Sequence, residues 1–218
     1  EVTSVNGTED QNTANSIMRK DLTAALGGTT KIAMIEHFSS ATCASCMPLN
    51  GTMKQLTDNN PGKFTYTKYA MNFPSYGDDY YTAEGGVRKS YYNVSGVPTM
   101  VLNGKDHTYL AVTQEELDEC YNSPAFVNIK GAFNIDGTTI NIKVDVMSYI
   151  NLENKRLFVT VNEKTTVENV EPINGSDSEF HHIMMKMLPG AQGETISLTE
   201  GSSQHFGYSY DMSQTHVE

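Results

Sequence analysis

The sequence predicts an α/β domain over residues 14–124 followed by an all-β sandwich domain over residues 125–218, with a flexible arm at residues 1–13. Three observations carry this. Short apolar runs alternate with amphipathic stretches up to Pro124, the pattern changes to period two beyond it, and Asn122-Ser123-Pro124 marks the break. Proline ends the preceding helix by disfavouring helical geometry in the residue before it. At 218 residues and 38% hydrophobic content, the chain has enough apolar surface for a substantial core. Its formal net charge of −11 argues against nucleic-acid partners, because neutralising phosphates requires clustered Lys and Arg. No apolar run approaches the roughly 20 residues of a membrane-spanning helix. Four Asn-x-Ser/Thr sequons, at Asn6, Asn50, Asn93 and Asn174, read as coincidental and favour a bacterial origin.

Within the first part, Ala14 to Leu26 reads as a helix stopped by Gly27-Gly28, and Lys31 to Phe38 as a buried strand. Cys46, Leu49, Met53 and Leu56 recur at the three- and four-residue spacing of a helix face, with Pro48 an awkward early member that predicts a kink or a shifted first turn. Phe64 to Ala70 alternates like a strand, and a weak helix containing Gly85-Gly86 runs to about Tyr92. Thr99 to Leu102 forms the next strand, closed by the hairpin signal Asn103-Gly104. Thr113 and Glu116 then make a capping box for a last helix. Beyond Pro124, the alternating segments around Phe126–Phe133, Thr139–Val146, Leu157–Val161, Glu179–Met187, Thr195–Leu198 and His205–Tyr210 read as six strands of an immunoglobulin-like sandwich.

Chemistry concentrates at Cys43-Ala44-Ser45-Cys46, between a strand and the start of a helix. Unpaired helix N–H groups and the helix dipole stabilise a thiolate there, which makes Cys43 the attacking sulfur and Cys46 the resolving one. Structural zinc is the competing reading of Cys-x-x-Cys. It needs further ligands, and the sequence shows only Cys120 elsewhere and His181-His182 in the β-rich part. Cys120 shares a helix face with Leu117 and Tyr121, which suits a buried small apolar residue.

A second segment, Tyr92-Asn93-Val94-Ser95-Gly96-Val97-Pro98-Thr99, resembles the thioredoxin superfamily, whose members place a cis proline against the dithiol. The resemblance implies a thioredoxin-like fold for residues 14–124, a cis Val97–Pro98 bond, and a substrate-binding edge formed by Thr42, Val97 and Pro98. Thr42 stands where thioredoxins usually have Trp, and Ala44-Ser45 lacks their Pro or His. His37 occupies the place of their buried Asp. It is a candidate proton carrier for Cys46, or else a packed residue with one hydrogen bond, while alternation puts Glu36 on the opposite face. The whole pattern, including His182 to Pro189, is similar to the Bacteroidetes thioredoxin-like outer-membrane lipoproteins related to the twenty-eight-kilodalton outer-membrane antigen. That resemblance implies a periplasmic, outer-membrane or cell-surface location in a Gram-negative bacterium. It also leaves room for a lipid anchor upstream of Glu1, and implies one or two strands beyond Glu218.

The functional expectation is an exported thiol–disulfide oxidoreductase acting on exported protein thiols or disulfides, with no cofactor and no metal. The alternative is a non-catalytic surface or envelope binding and assembly module in which the cysteine pair is a structural disulfide. Two further features have bland readings. His181-His182-Ile183-Met184-Met185 invites a Cu(I) site, but strand alternation splits it between two faces. Asp78-Asp79-Tyr80-Tyr81 reads as a solvated loop rather than a groove wall.

Overall fold

Strand β4 (Ala33–Ser39) is buried along almost its whole length, and the rest of the first half is arranged around it. The computed structural model describes residues 4–5, 8–9, 24–106, 110–167 and 179–214. Ahead of β4 lie a two-residue pair, β1 (Ser4–Val5) with β2 (Thr8–Glu9), and the short β3 (Thr29–Thr30). After β4 come α1 (Cys46–Asp58), β5 (Phe64–Ala70), α2 (Ala83–Tyr91), β6 (Thr99–Leu102), β7 (Lys105–Asp106), α3 (Gln114–Tyr121) and β8 (Pro124–Ala125). β5 runs parallel to β4 on one side, β6 antiparallel on the other.

Local chemistry explains these elements. α1 runs unbroken for 13 residues. Pro48 is its third residue, where the missing N–H has no intrahelical acceptor in any case. α2 is capped by the Thr82 hydroxyl, which accepts from Gly85 N at 3.1 Å. Gly86 lets it approach Tyr81, since a Cβ there would lie 2.6 Å from the phenol oxygen. Asn103 and Gly104, at φ 52° and 79°, make the tight β6–β7 turn, where both residues need positive φ. The Thr113–Glu116 capping box forms at the start of α3. The helix predicted over Ala14–Leu26 and the arm fall mostly outside the described residues.

The second half contains β9 (Val127–Asp136), β10 (Thr139–Ser148), β11 (Leu152–Leu157), β12 (Val159–Val167), β13 (Glu179–Leu188), β14 (Glu194–Leu198) and β15 (Ser203–Asp211). β15, β10 and β9 form a three-stranded antiparallel sheet and β11 pairs with β14, the two packing around Val144, Val146, Leu157, Ile196 and Phe206.

The fold class read from the sequence is overturned here. Strand dominates among the described residues, dispersed over several small sheets, and no helix-rich α/β domain stands apart from a sandwich. The largest sheet, in the order β12-β13-β5-β4-β6-β7, draws strands from both halves of the chain. The physical reason lies in β13. Its burial does not alternate: Met184 and Met187 pack with Phe38 and Tyr69, while Phe180, Ile183 and Met185 pack with Ala41, Ala70 and Tyr80. A strand buried on both faces cannot serve a sandwich that exposes one face, so it sits inside a covered sheet. There it meets the otherwise open edge of β5, through Ile183 opposite Lys68.

Candidate functional site

Cys43 and Cys46 form a disulfide at the head of α1, with Cα atoms 5.3 Å apart. The chain reaches it through a tight loop in which Cys43 N–H donates to Ser40 O at 3.1 Å and Cys46 N–H to Cys43 O at 3.0 Å. Both residues are shielded, Cys43 being 3% exposed and Cys46 0%. The intervening Ala44 and Ser45 are exposed, and the Ser45 hydroxyl lies 3.4 Å from Cys43 Sγ.

The Val97–Pro98 bond is cis, and the Val97 carbonyl oxygen lies 3.6 Å from Cys43 Sγ. The structure therefore brings Cys43, Cys46, Val97 and Pro98 into one corner, with Pro98 buried and Val97 half-buried. Thr42 is also there but buried: its hydroxyl donates to Pro74 O at 2.6 Å and lies 3.0 Å from Ser40 Oγ. Asp78 braces the same loop, accepting from Ala41 N–H at 2.7 Å and Tyr80 N–H at 3.0 Å. It is buried, so the solvated-loop reading of Asp78 and Tyr80 is corrected. Burial, above all, pushes the Asp78 carboxyl up from its ordinary range, against the pull of its backbone donors.

His37 is fully buried on the face of β4 that carries Ile35, with Nδ1 2.7 Å from Tyr66 Oη and Nε2 without a partner. Burial, and secondarily the Lys68 ammonium, holds its pKa well below the ordinary histidine value, so the ring is a neutral imidazole. Tyr66 is equally buried, which raises its phenol pKa and keeps it protonated.

On the opposite face lies a group that the sequence did not reveal. Glu36 accepts from Arg88 Nη2 at 2.6 Å, Arg88 Nε at 3.2 Å, Tyr69 Oη at 2.8 Å and Tyr92 Oη at 2.5 Å. The Arg88 guanidinium lies over the Phe158, Tyr91 and Tyr92 rings at 4.2, 4.6 and 4.8 Å. This cluster ties β4 and α2 to Tyr92, where the segment leading to Pro98 begins, and to the β11–β12 junction. The only advance signal was the place of Glu36 on the strand face away from His37.

Cys120 is partly buried, and its sulfur accepts from Asn103 Nδ2 at 2.9 Å. No group of three or more His, Cys, Asp or Glu able to hold a metal occurs among the described residues.

A family model described as outer membrane protein Omp28 matches residues 87–217. The match begins within α2, after the cysteine pair, and covers the Val97–Pro98 segment and the β-rich part. Two solved structures are similar. HBP35 of Porphyromonas gingivalis has a TM-score of 0.67 at 13% identity, over 85% of this chain and 66% of that one. Protein AGR_C_4864 from Agrobacterium tumefaciens has a TM-score of 0.55 at 16% identity, over 83% of this chain and 79% of that one. Identities this low show a shared fold alone. Among curated proteins none matches.

Proposed function

As a member of the outer membrane protein Omp28 family, this chain belongs at the outer membrane or cell surface of a Gram-negative bacterium, and we propose that it is a binding or assembly module whose Cys43–Cys46 disulfide is structural. The observation that carries this reading is the shielding of both sulfurs, under a loop whose polar groups are engaged within the protein. Exchange requires an incoming thiolate to reach a sulfur in line with the bond, and burial opposes that. The neutral His37 is turned toward Tyr66.

Binding is the positive half of the proposal. β9 is the outer strand of its sheet, and Ile129, Phe133 and Ile135 are 56%, 69% and 56% exposed along it. An edge with free backbone groups and large apolar side chains at alternate positions suits an extended segment of another envelope protein, added as a further strand. Photo-crosslinking from position 133 in intact envelopes tests this. Crosslinks should survive Cys43→Ser/Cys46→Ser and disappear with Ile129→Lys; the reverse pattern sinks the proposal.

A second reading, thiol–disulfide exchange with exported protein thiols, is favoured by the 3.6 Å approach of the Val97 carbonyl to Cys43 Sγ. That approach puts an extended backbone segment beside the sulfur, as a substrate strand would need. Cys46→Ser, which leaves Cys43 as a lone thiol, should trap mixed disulfides with envelope proteins if this second reading is right, and none if the disulfide is structural.

A further inference from the structure

His181 and His182 are consecutive in β13, where regular pleating sends neighbours to opposite faces. The expected split does not occur. His182 has φ 61°, a left-handed conformation that is unfavourable for a non-glycine residue. Both imidazoles line one cavity of about 220 Å³ enclosed by α1, β5, β12 and β13. The His181 ring is held by Thr165, with Nδ1 3.2 Å from its hydroxyl, and the His182 ring lies 5.1 Å from that of Tyr66.

The cavity is also lined by Lys54, Lys68 and Lys164, against the two carboxylates Asp58 and Glu179. Asp58 bonds Lys54 at 2.7 Å and Glu179 lies 3.4 Å from His181 Nε2, so three ammonium groups stand against two carboxylates. In a chain of net charge −11, this is a local excess of positive charge and N–H donors. Asn50 completes the wall from α1, one helical turn after Cys46. It is 8% exposed, and neither its Nδ2 nor its Oδ1 has a hydrogen-bond partner. An unpaired buried amide is unfavourable, and a native fold rarely leaves one without a use.

From these features we propose that the cavity binds a small hydroxylated oxyanion of the hydrogenphosphate class. Such an ion accepts from lysine ammonium groups, histidine N–H and Asn50 Nδ2, while its own hydroxyl donates to Asn50 Oδ1. A metal cation does not suit the place, because the lysines repel it and no group of three or more His, Cys, Asp or Glu converges there among the described residues. The volume is below the roughly 300 Å³ at which pockets for drug-sized ligands begin, so the occupant is a small ion.

The test is an NMR titration of the full chain with inorganic phosphate, following the His181 and His182 ring C–H signals at constant ionic strength. Saturable shifts of both are expected, with sulfate, which has no hydroxyl to donate, binding about tenfold or more weakly. Asn50→Leu should keep the fold, since it removes an unpaired amide, and weaken phosphate by a similar factor. Lys164→Ala, on the exposed rim, should weaken it less. Absence of saturable shifts, equal response to phosphate and chloride, or unchanged affinity in Asn50→Leu overturns the proposal. So does a response confined to phosphatidylcholine vesicles carrying phosphatidic acid, which would mean a lipid surface rather than a free ion.

Discussion

The two faces of β4 bury polar groups in opposite ways. On the Glu36 face the carboxylate accepts from a guanidinium and two phenols, and the guanidinium, whose Nη1 alone has no hydrogen-bond partner, is covered by aromatic rings. On the His37 face, His37 Nε2 and both amide atoms of Asn50 are left without partners. A buried charge pair closed by hydrogen bonds and covered by aromatic rings rigidifies a core, whereas neutral groups left unpaired are held against a free-energy cost and so point to an occupant or a task. The first face is therefore architecture, and the second borders, through Asn50, the cavity proposed to take a small oxyanion.

Breaking the Glu36–Arg88 pair should have the largest effect. Arg88→Met leaves Glu36 as an uncompensated buried charge, and urea unfolding should show a loss of about 3–5 kcal/mol. A loss below 1 kcal/mol would mean that Glu36 finds water or another donor, and the contrast between the faces would collapse. Replacing both cysteines with alanine should lower stability by roughly 2 kcal/mol, the chain-entropy value for so short a loop.

The His37 face should reveal itself through pH. The folded-state pKa of His37 lies well below the 6.5 of the unfolded chain, so its contribution to stability is complete above pH 6.5 and is lost as the pH falls. His181 and His182 are shifted in the same direction, both chiefly by burial. Denaturation between pH 6.5 and 5 should show stability falling with acidification. His37→Gln should remove one proton from that slope, about 1.4 kcal/mol per pH unit. An unaltered slope would show that His37 titrates normally and is not sealed in.

The smallest change runs the other way. Asn50→Leu should raise stability by about 1 kcal/mol, because it deletes two unsatisfied polar atoms from the interior. A destabilised variant would show that the amide already has a structural use.

Features set by neighbouring residues were legible in the sequence. The Thr113–Glu116 box, the Asn103-Gly104 turn and the α1 face of Cys46, Leu49 and Met53 each need only a few adjacent positions. Partners far apart in the chain were not. β13 was read as one strand of a separate sandwich, although its unbroken run Ile183-Met184-Met185 was already the mark of a strand covered on both faces. The Glu36–Arg88 pair joins residues 52 positions apart, and no local pattern encodes that choice. The meeting of Cys43 with Val97 was anticipated only through a family resemblance. Regular pleating sends His181 and His182 to opposite faces, and the left-handed backbone at His182 that departs from it cannot be read from residue types.

As proposed above, Cys43–Cys46 is a shielded, structural disulfide in a surface module. The most direct test is its reduction potential, measured by equilibration of the full chain with dithiothreitol and glutathione buffers. A structural role requires a potential below about −300 mV, as for disulfides that resist the glutathione pool. A value between about −120 and −270 mV, the range of exchange catalysts, would contradict it and make the pair a working redox centre.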